Sequence, residues 1–381
     1  MAAANSPRQM TPAQQNMMAR ASLLQTGLRF TRRLPSSYNG NGIPGGTIQI
    51  PLPRMGVVTG VTLIVSAALN ITVAATKSQF GPEALIQNIN YQDFAGVKHV
   101  NTSGVLLGIL NRMKSGKLAG NLFGAGGVTT GLAPLDTGFL NYPTAVANGP
   151  ALIFPVYVPL AIDPTSDLRG AVLAQTDRGD HNINITFANT LVGADPLASP
   201  YTAGTVALAA AGITIDAYMH YIMPQAGVSP NNLPMIDLGT IYAIEGGVTD
   251  SANIVANQSK FLNWPNNRAI LNATHIYNQA ATGGTLNGTD ISQFTLLVNG
   301  NTNVRELSPE AVRLHQRQVL STDLPNGVYN FASRSQPITT QLYGNVQTKA
   351  DIVTAGANSY FQSQYESTYL SGTPLPGVVQ G

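Results

Sequence analysis

The chain has no cysteine, so disulfides, thiolate nucleophiles and cysteine metal sites are excluded together, and the redox compartment is left undefined. Charge is also scarce. Asp, Glu, Lys and Arg make up 10% of 381 residues, against roughly 25% in an ordinary soluble domain. No acidic residue precedes Glu83, whereas Arg8, Arg20, Arg29, Arg32, Arg33, Arg54 and Lys77 all do; removing those seven positive charges from the overall +2 leaves the remainder at −5. Long apolar runs are missing too. The nearest approach, "VTLIVSAALNITVAA" (61–75), is broken by Asn70 and by alternating Thr and Ser, short of the ~20 clean residues of a membrane-spanning helix. No secretory leader is expected either, because "MTPAQQNMMARASLLQ" keeps returning to Gln, Asn and Arg.

In place of charge stand Asn, Gln, Thr, Ser, Gly and Ala, in runs such as "YNGNGIPGGT" (38–47). A nearly neutral polar surface repels copies of itself weakly, which suits a protein packed against its own kind. Thr11, Pro12 and Gln14 form a helix start with N-cap, first-turn proline and capping-box partner. From there Ala13, Met17, Ala21, Leu24 and Leu28 recur at helical spacing, with Leu23 off the stripe and Arg20 at its edge.

Beyond Pro35 the period changes to two. Over 56–73, Val57, Val61, Leu63, Val65, Ala67, Leu69, Ile71 and Val73 share one phase, and Thr62, Ser66, Asn70 and Thr72 share the other. The same alternation returns over 181–188 and 213–223. Asn-Gly pairs at 39–40, 41–42, 148–149, 287–288, 299–300 and 326–327 are expected at hairpin turns. Helices are expected at 102–116 and at 308–321, the latter opened by Ser308 and Pro309. The proline-rich stretch at 223–234 reads as a linker between two β blocks, each large enough for a sandwich. No repeat of solenoid period is evident. The boundaries expected are an arm over 1–45, one sandwich over 46–223, a linker over 224–233, a second sandwich over 234–365 and a tail over 366–381.

Residues that carry chemistry do not converge. His99, His181, His220, His275 and His315 are scattered singly, without the spacing that sets metal ligands on one helix face. The Gly-rich "LFGAGGVTTG" (122–131) lacks the third glycine of a dinucleotide fingerprint and the Gly-Lys-Ser/Thr of a P-loop. Asp163, Asp167, Asp177 and Asp180 lack the order of a calcium loop and read as turn and capping residues. Five arginines among the first 33 residues suit phosphates, a membrane surface or a neighbouring subunit, but no base-reading motif accompanies them. A secreted carbohydrate-binding or adhesive β-sandwich is the alternative class, although Trp264 has no second tryptophan beside it.

Taken in order, "TPAQQ" in the arm, "FGPEALIQNINYQD" (80–93), "SDLRGAVLAQ" (166–175), "LPMIDLGTIYAIE" (233–245), "TDLPNGVYNF" (322–331) and "QLYGNVQ" (341–347) resemble the major capsid proteins of tectiviruses, icosahedral bacteriophages with an internal membrane. The resemblance implies an all-β double jelly roll: two tandem eight-stranded sandwiches, each with a helical excursion, and an N-terminal helical arm. It implies a non-enzymatic coat protein without cofactor or metal, located in the virion shell. Its partners would be two further copies in a pseudo-hexagonal homotrimer, neighbouring trimers, minor capsid and vertex proteins, and the internal membrane, with no sequence-specific nucleic acid. The arm residues expected to face membrane or neighbour are Met17, Arg20, Leu24, Leu28, Arg29, Arg32 and Arg33. The Gly- and Ala-rich stretches 119–150 and 194–212 have no match in the family and are expected as loops.

Overall fold

The computed structural model describes residues 21–34, 38–40, 45–115, 141–174, 179–223, 240–250, 254–279, 290–300, 302–320, 324, 327–332, 337–356 and 359–370. A helix α1 (21–26) precedes β1 (Leu28–Arg33) and β2 (Tyr38–Gly40). Then come β3 (Thr47–Leu52), β4 (Val57–Lys77), a 3-10 turn (Pro82–Leu85), β5 (Ile86–Gln92), β6 (Lys98–Thr102), α2 (Gly104–Ser115), β7 (Ala147–Pro159), β8 (Val172–Leu173), β9 (His181–Phe187) and β10 (Tyr201–Met223). The second half holds β11 (Thr240–Asp250), β12 (Gln258–Asn263), β13 (Ala269–Gln279), β14 (Ile291–Val298), β15 (Thr302–Leu307), α3 (Pro309–Leu320), β16 (Val328–Ala332), β17 (Ile338–Thr339), α4 (Thr340–Tyr343), β18 (Val346–Ile352) and β19 (Ser359–Leu370).

In the first half the sheet β1-β10-β4-β7 faces the strands β6-β5-β9-β3 across one apolar core. In the second, β11-β19-β13-β16 faces β15-β14-β18-β12 across another. Eight strands on each side, crossing repeatedly between the two sheets, make two jelly rolls. The short strands β8 and β17 attach to β4 and β13 at matching places.

The two rolls correspond in register at three bulges. Pairing of β4 with β10 skips Thr59, and pairing of β13 with β19 skips Leu271. The β5–β9 ladder skips Gln87 and the β14–β18 ladder skips Ser292. The β5–β6 ladder skips His99 and the β14–β15 ladder skips Val304. Bulges are specific kinks that re-aim a strand, and three at equivalent positions mark a duplicated structure. Each outer hairpin then runs into a helix whose N-terminus is bonded by a serine: Leu106 N–H donates to Ser103 Oγ (3.3 Å), and Ala311 N–H to Ser308 Oγ (3.2 Å).

The period-two reading of β4 holds from Val61 to Ile71, where every second residue is buried. It fails at Val73, which is 55% exposed. Thr72–Lys77 continues past the core and pairs with the start of β10, Tyr201↔Lys77 through Thr205↔Val73. The expected loop over 194–212 is therefore strand from Tyr201 onward, and the last residues of the expected loop 119–150 open β7; small side chains let these strands continue as a thin exposed ribbon. Residues 116–140 lie outside the described residues.

Asn299 (φ 54°) and Gly300 (φ 76°) do turn the β14–β15 hairpin. Asn148-Gly149 instead sits within β7, where Gly149 (φ 90°) accompanies the register break between Ala68 and Asn70, and Asn39-Gly40 belongs to β2. The pairs at 41–42 and 287–288, the linker 224–233 and the tail beyond Leu370 lie outside the described residues, while β19 itself runs past residue 365.

Leu63, fully buried in β4, is expected to lose about 2–5 kcal/mol on Leu63→Ala in a urea titration, whereas Val73→Ala changes stability by less than about 0.5 kcal/mol.

Candidate assembly interface

The chain's own junction between rolls shows what an interface here requires. The edge strands β6 and β11 pair in parallel, Ile244↔Val100 and Glu245↔Asn101, joining one sheet of each roll into a single sheet. Side chains reinforce the join. Gln364 Nε2 donates to Thr102 Oγ1 (2.9 Å) and Gln362 Nε2 to Ser103 Oγ (3.2 Å). Lys114 Nζ at the end of α2 lies 2.8 Å from Glu366 Oε1 and also donates to Tyr242 Oη (2.5 Å), while Tyr242 Oη donates to Glu366 (2.8 Å). Glu366 is 1% exposed, so its charge depends on these partners. Elsewhere along the junction, Asp195 accepts from Asn278 Nδ2 (2.9 Å) and Tyr360 Oη (2.7 Å).

A second buried pair braces the first roll. Arg112 on α2 bonds Glu83 in the 3-10 turn, both nearly inaccessible. Burial pulls the Arg112 guanidinium below its ordinary value while adjacent Glu83 acts the other way.

The described arm residues divide between α1 and β1. Met17 and Arg20 lie outside the described residues. Leu24 is on α1 and partly buried, but the residue that docks the helix is Leu23, 3% exposed among Val57, Ala161, Leu168, Ala171 and Ile222. Leu28 does not belong to the helix at all: it opens β1, opposite Met223 of β10. The helix ends at Gly27, whose N–H donates to Leu23 O (2.9 Å) and which sits so close to Ile222 that a Cβ there would meet Ile222 Cγ2 at 2.5 Å. Arg29 and Arg33 then alternate with Phe30 and Arg32 on the two faces of β1. Arg33 pairs with Asp216 (2.9 Å), Arg29 Nη2 donates to Thr165 O (3.4 Å), and Phe30 stacks on Tyr221 at 5.5 Å. The expected arm of residues 1–45 thus contains a jelly-roll strand with one free edge among the described strands.

Four of the histidines serve packing. His275 is fully buried, bonded to Ser363 Oγ (2.8 Å) and Thr348 Oγ1 (3.2 Å), and burial pushes its pKa down to about 3. His181 bonds Tyr91 Oη (2.7 Å), His220 bonds Thr62 Oγ1 (2.7 Å), and His99 bonds Asp93 (2.7 Å). Asp163 accepts from Thr165 and Ser166 within its own turn, Asp167 pairs with Arg169, and Asp180 with Arg54; Asp177 lies outside the described residues. Among the described residues no group of His, Asp and Glu is arranged to hold a metal. No helix among them is long and apolar enough to cross a membrane. Trp264 is 2% exposed and donates to Thr348 Oγ1 (2.8 Å), so it offers no stacking surface to a sugar.

Breaking the buried Lys114–Glu366 pair strands a charge, and Lys114→Met is expected to cost about 3–5 kcal/mol in urea unfolding, with Lys114→Met/Glu366→Met recovering part of the loss. His275 supplies a pH dependence of known sign. Its folded pKa (about 3) lies below its ordinary value of 6.5, so the unfolded chain binds the extra proton between those values. Its contribution is intact above pH 6.5 and declines on acidification toward pH 3, by up to ~1.4 kcal/mol per pH unit. His275→Gln should flatten that part of the stability–pH curve.

Family models for the N-terminal and C-terminal parts of the P3 major capsid protein match residues 46–217 and 239–375, together most of the chain. The major capsid protein P3 of Enterobacteria phage PRD1 is 29% identical over 388 residues, covering 94% of this chain and 95% of that protein. The fold is shared with the major capsid protein of Sulfolobus Turreted Icosahedral Virus (TM-score 0.65, 12% identity, 91% of this chain and 98% of the other). It is shared also with major capsid protein P2 of bacteriophage PM2 (TM-score 0.52, 11% identity, 90% and 97%). The chain, with its two edge-joined jelly rolls, belongs to the P3 major capsid protein family.

Proposed function

We propose that this major capsid protein builds its shell from pseudo-hexagonal homotrimers, closed into an icosahedron around an internal membrane. The observation that carries the reading is the duplication: one chain already holds two equivalent rolls joined edge to edge, so three chains supply six similar building blocks. A symmetric ring of such copies tiles a surface with hexagonal outline. The chain acts as a building block and not as an enzyme, in keeping with histidines and carboxylates engaged in packing and turns. Minor capsid and vertex proteins would meet the trimer's flanks.

The basic segment ahead of α1 faces the membrane or a neighbouring trimer in this reading. Arg8 and Arg20 precede the docked Leu23, and arginines beside an apolar helical face favour anionic headgroups. Among the described residues, Leu23 of α1 and strand β1 are held by the chain's own first roll.

Native mass measurement is expected to show a trimer, and a stable monomer at micromolar concentration would overturn the reading. Deletion of residues 1–20, which keeps Leu23, should leave the trimer intact while reducing flotation with anionic phosphatidylglycerol vesicles; undiminished flotation would remove the membrane role of the segment.

A further inference from the structure

The duplicated fold leaves the counterparts of its joined edges unmatched among the described strands. Within the chain, the outer edge β6 of the first roll meets the leading edge β11 of the second. By the register equivalence, β15 corresponds to β6 and β1 to β11, because β1 lies beside β10 as β11 lies beside β19. Among the described strands β15 and β1 each end a sheet. All six β1 residues and five of the six in β15 are exposed. Long open edges are association sites that folded proteins normally cover.

The helices carry a second, independent sign. In α2, Ile109 is fully buried within a core that continues into Tyr242 and Ile244 of β11. The two elements press closely, since a Cβ on Gly246 would lie 3.0 Å from Leu106 Cδ1. At the position in α3 equivalent to Ile109 stands Leu314, 57% exposed, and at that of Lys114 stands Val319, 50% exposed. α3 thus presents exposed apolar side chains at positions where α2 is buried or paired.

We propose that β15 and α3 of one copy receive β1 of the next copy in a parallel edge pairing that repeats the β6–β11 junction between chains. The inference rests on the trimer reading and names its contact surface. Register transfers through the bulges: Val100 and Asn101 correspond to Arg305 and Glu306, and Ile244 and Glu245 correspond to Thr31 and Arg32. The junction therefore sets Arg305 beside Thr31 and Glu306 beside Arg32, an opposite-charge pair across the seam. Pairing stops short of Arg33, which stands where Gly246 allows close approach and is already turned to Asp216. The contact is heterologous, one edge meeting a different edge, and such contacts close into a ring when the rotation allows.

The absence of cysteine makes the test clean. Neighbouring strands bring Cα atoms within disulfide range, so Arg32→Cys/Glu306→Cys is expected to give a covalent trimer on mild oxidation, visible on a non-reducing gel, with each single variant giving none. A charge-reversal set keeps the result independent of cysteine chemistry: R32E and E306R each lower the trimer yield on refolding by about tenfold, and R32E/E306R restores it. Trimers by native mass that yield no covalent band at this pair or at Thr31→Cys/Arg305→Cys, and no rescue in the double reversal, overturn the proposed contact while sparing the trimer reading. A wild-type chain that stays monomeric overturns both.

Discussion

Every strand at the end of a sheet presents a row of backbone N–H and C=O groups that water or another strand must satisfy, and the organisation of this chain depends on how four such edges, β6, β11, β1 and β15, are treated. One pair, β6 and β11, is closed within the chain. That closure brings α2 against the second roll and buries Glu366, which in turn obliges Lys114 and Tyr242 to hold their places. The polar glutamines of β19 turn toward Thr102 and Ser103 instead of toward solvent for the same reason. A sheet face that would be solvated in an isolated jelly roll is here the interior of a larger body.

Low charge becomes intelligible on this footing. A junction that covers both faces of a helix and one face of a sheet leaves little room for Lys or Glu, and burying a charge needs a partner for each. Where charge does occur inside, it is paired: Arg112 with Glu83, Lys114 with Glu366, and Arg268 with Glu245 at 2.8 Å. Asn, Gln, Ser and Thr fill the remaining positions because they close hydrogen bonds without a desolvated charge.

Two local motifs serve the tertiary structure in a second way. Asn-Gly marks positive φ, and positive φ serves a bulge within β7 as well as the turn at Asn299-Gly300. The helical stripe ending on Leu28 continued one residue too far because apolar spacing cannot register that Gly27 packs against Ile222, a residue nearly two hundred positions away. Leu23, off that stripe, is the residue that docks.

Period-two hydrophobicity determined β4, β9 and the later part of β10, and Ser308-Pro309 determined the start of α3, since strand faces and helix caps are decided by residues a few positions apart. The ordered family segments carried the double jelly roll and the capsid role. The tertiary structure alone decided the pairing of β6 with β11, the burial of Glu366, the equivalence of the rolls and the membership of Leu28–Arg33 in a sheet. Those features depend on which distant edges meet. Edge strands read alike in sequence whether their free side meets another strand or water, because the groups that make the difference belong to the backbone, which every residue shares.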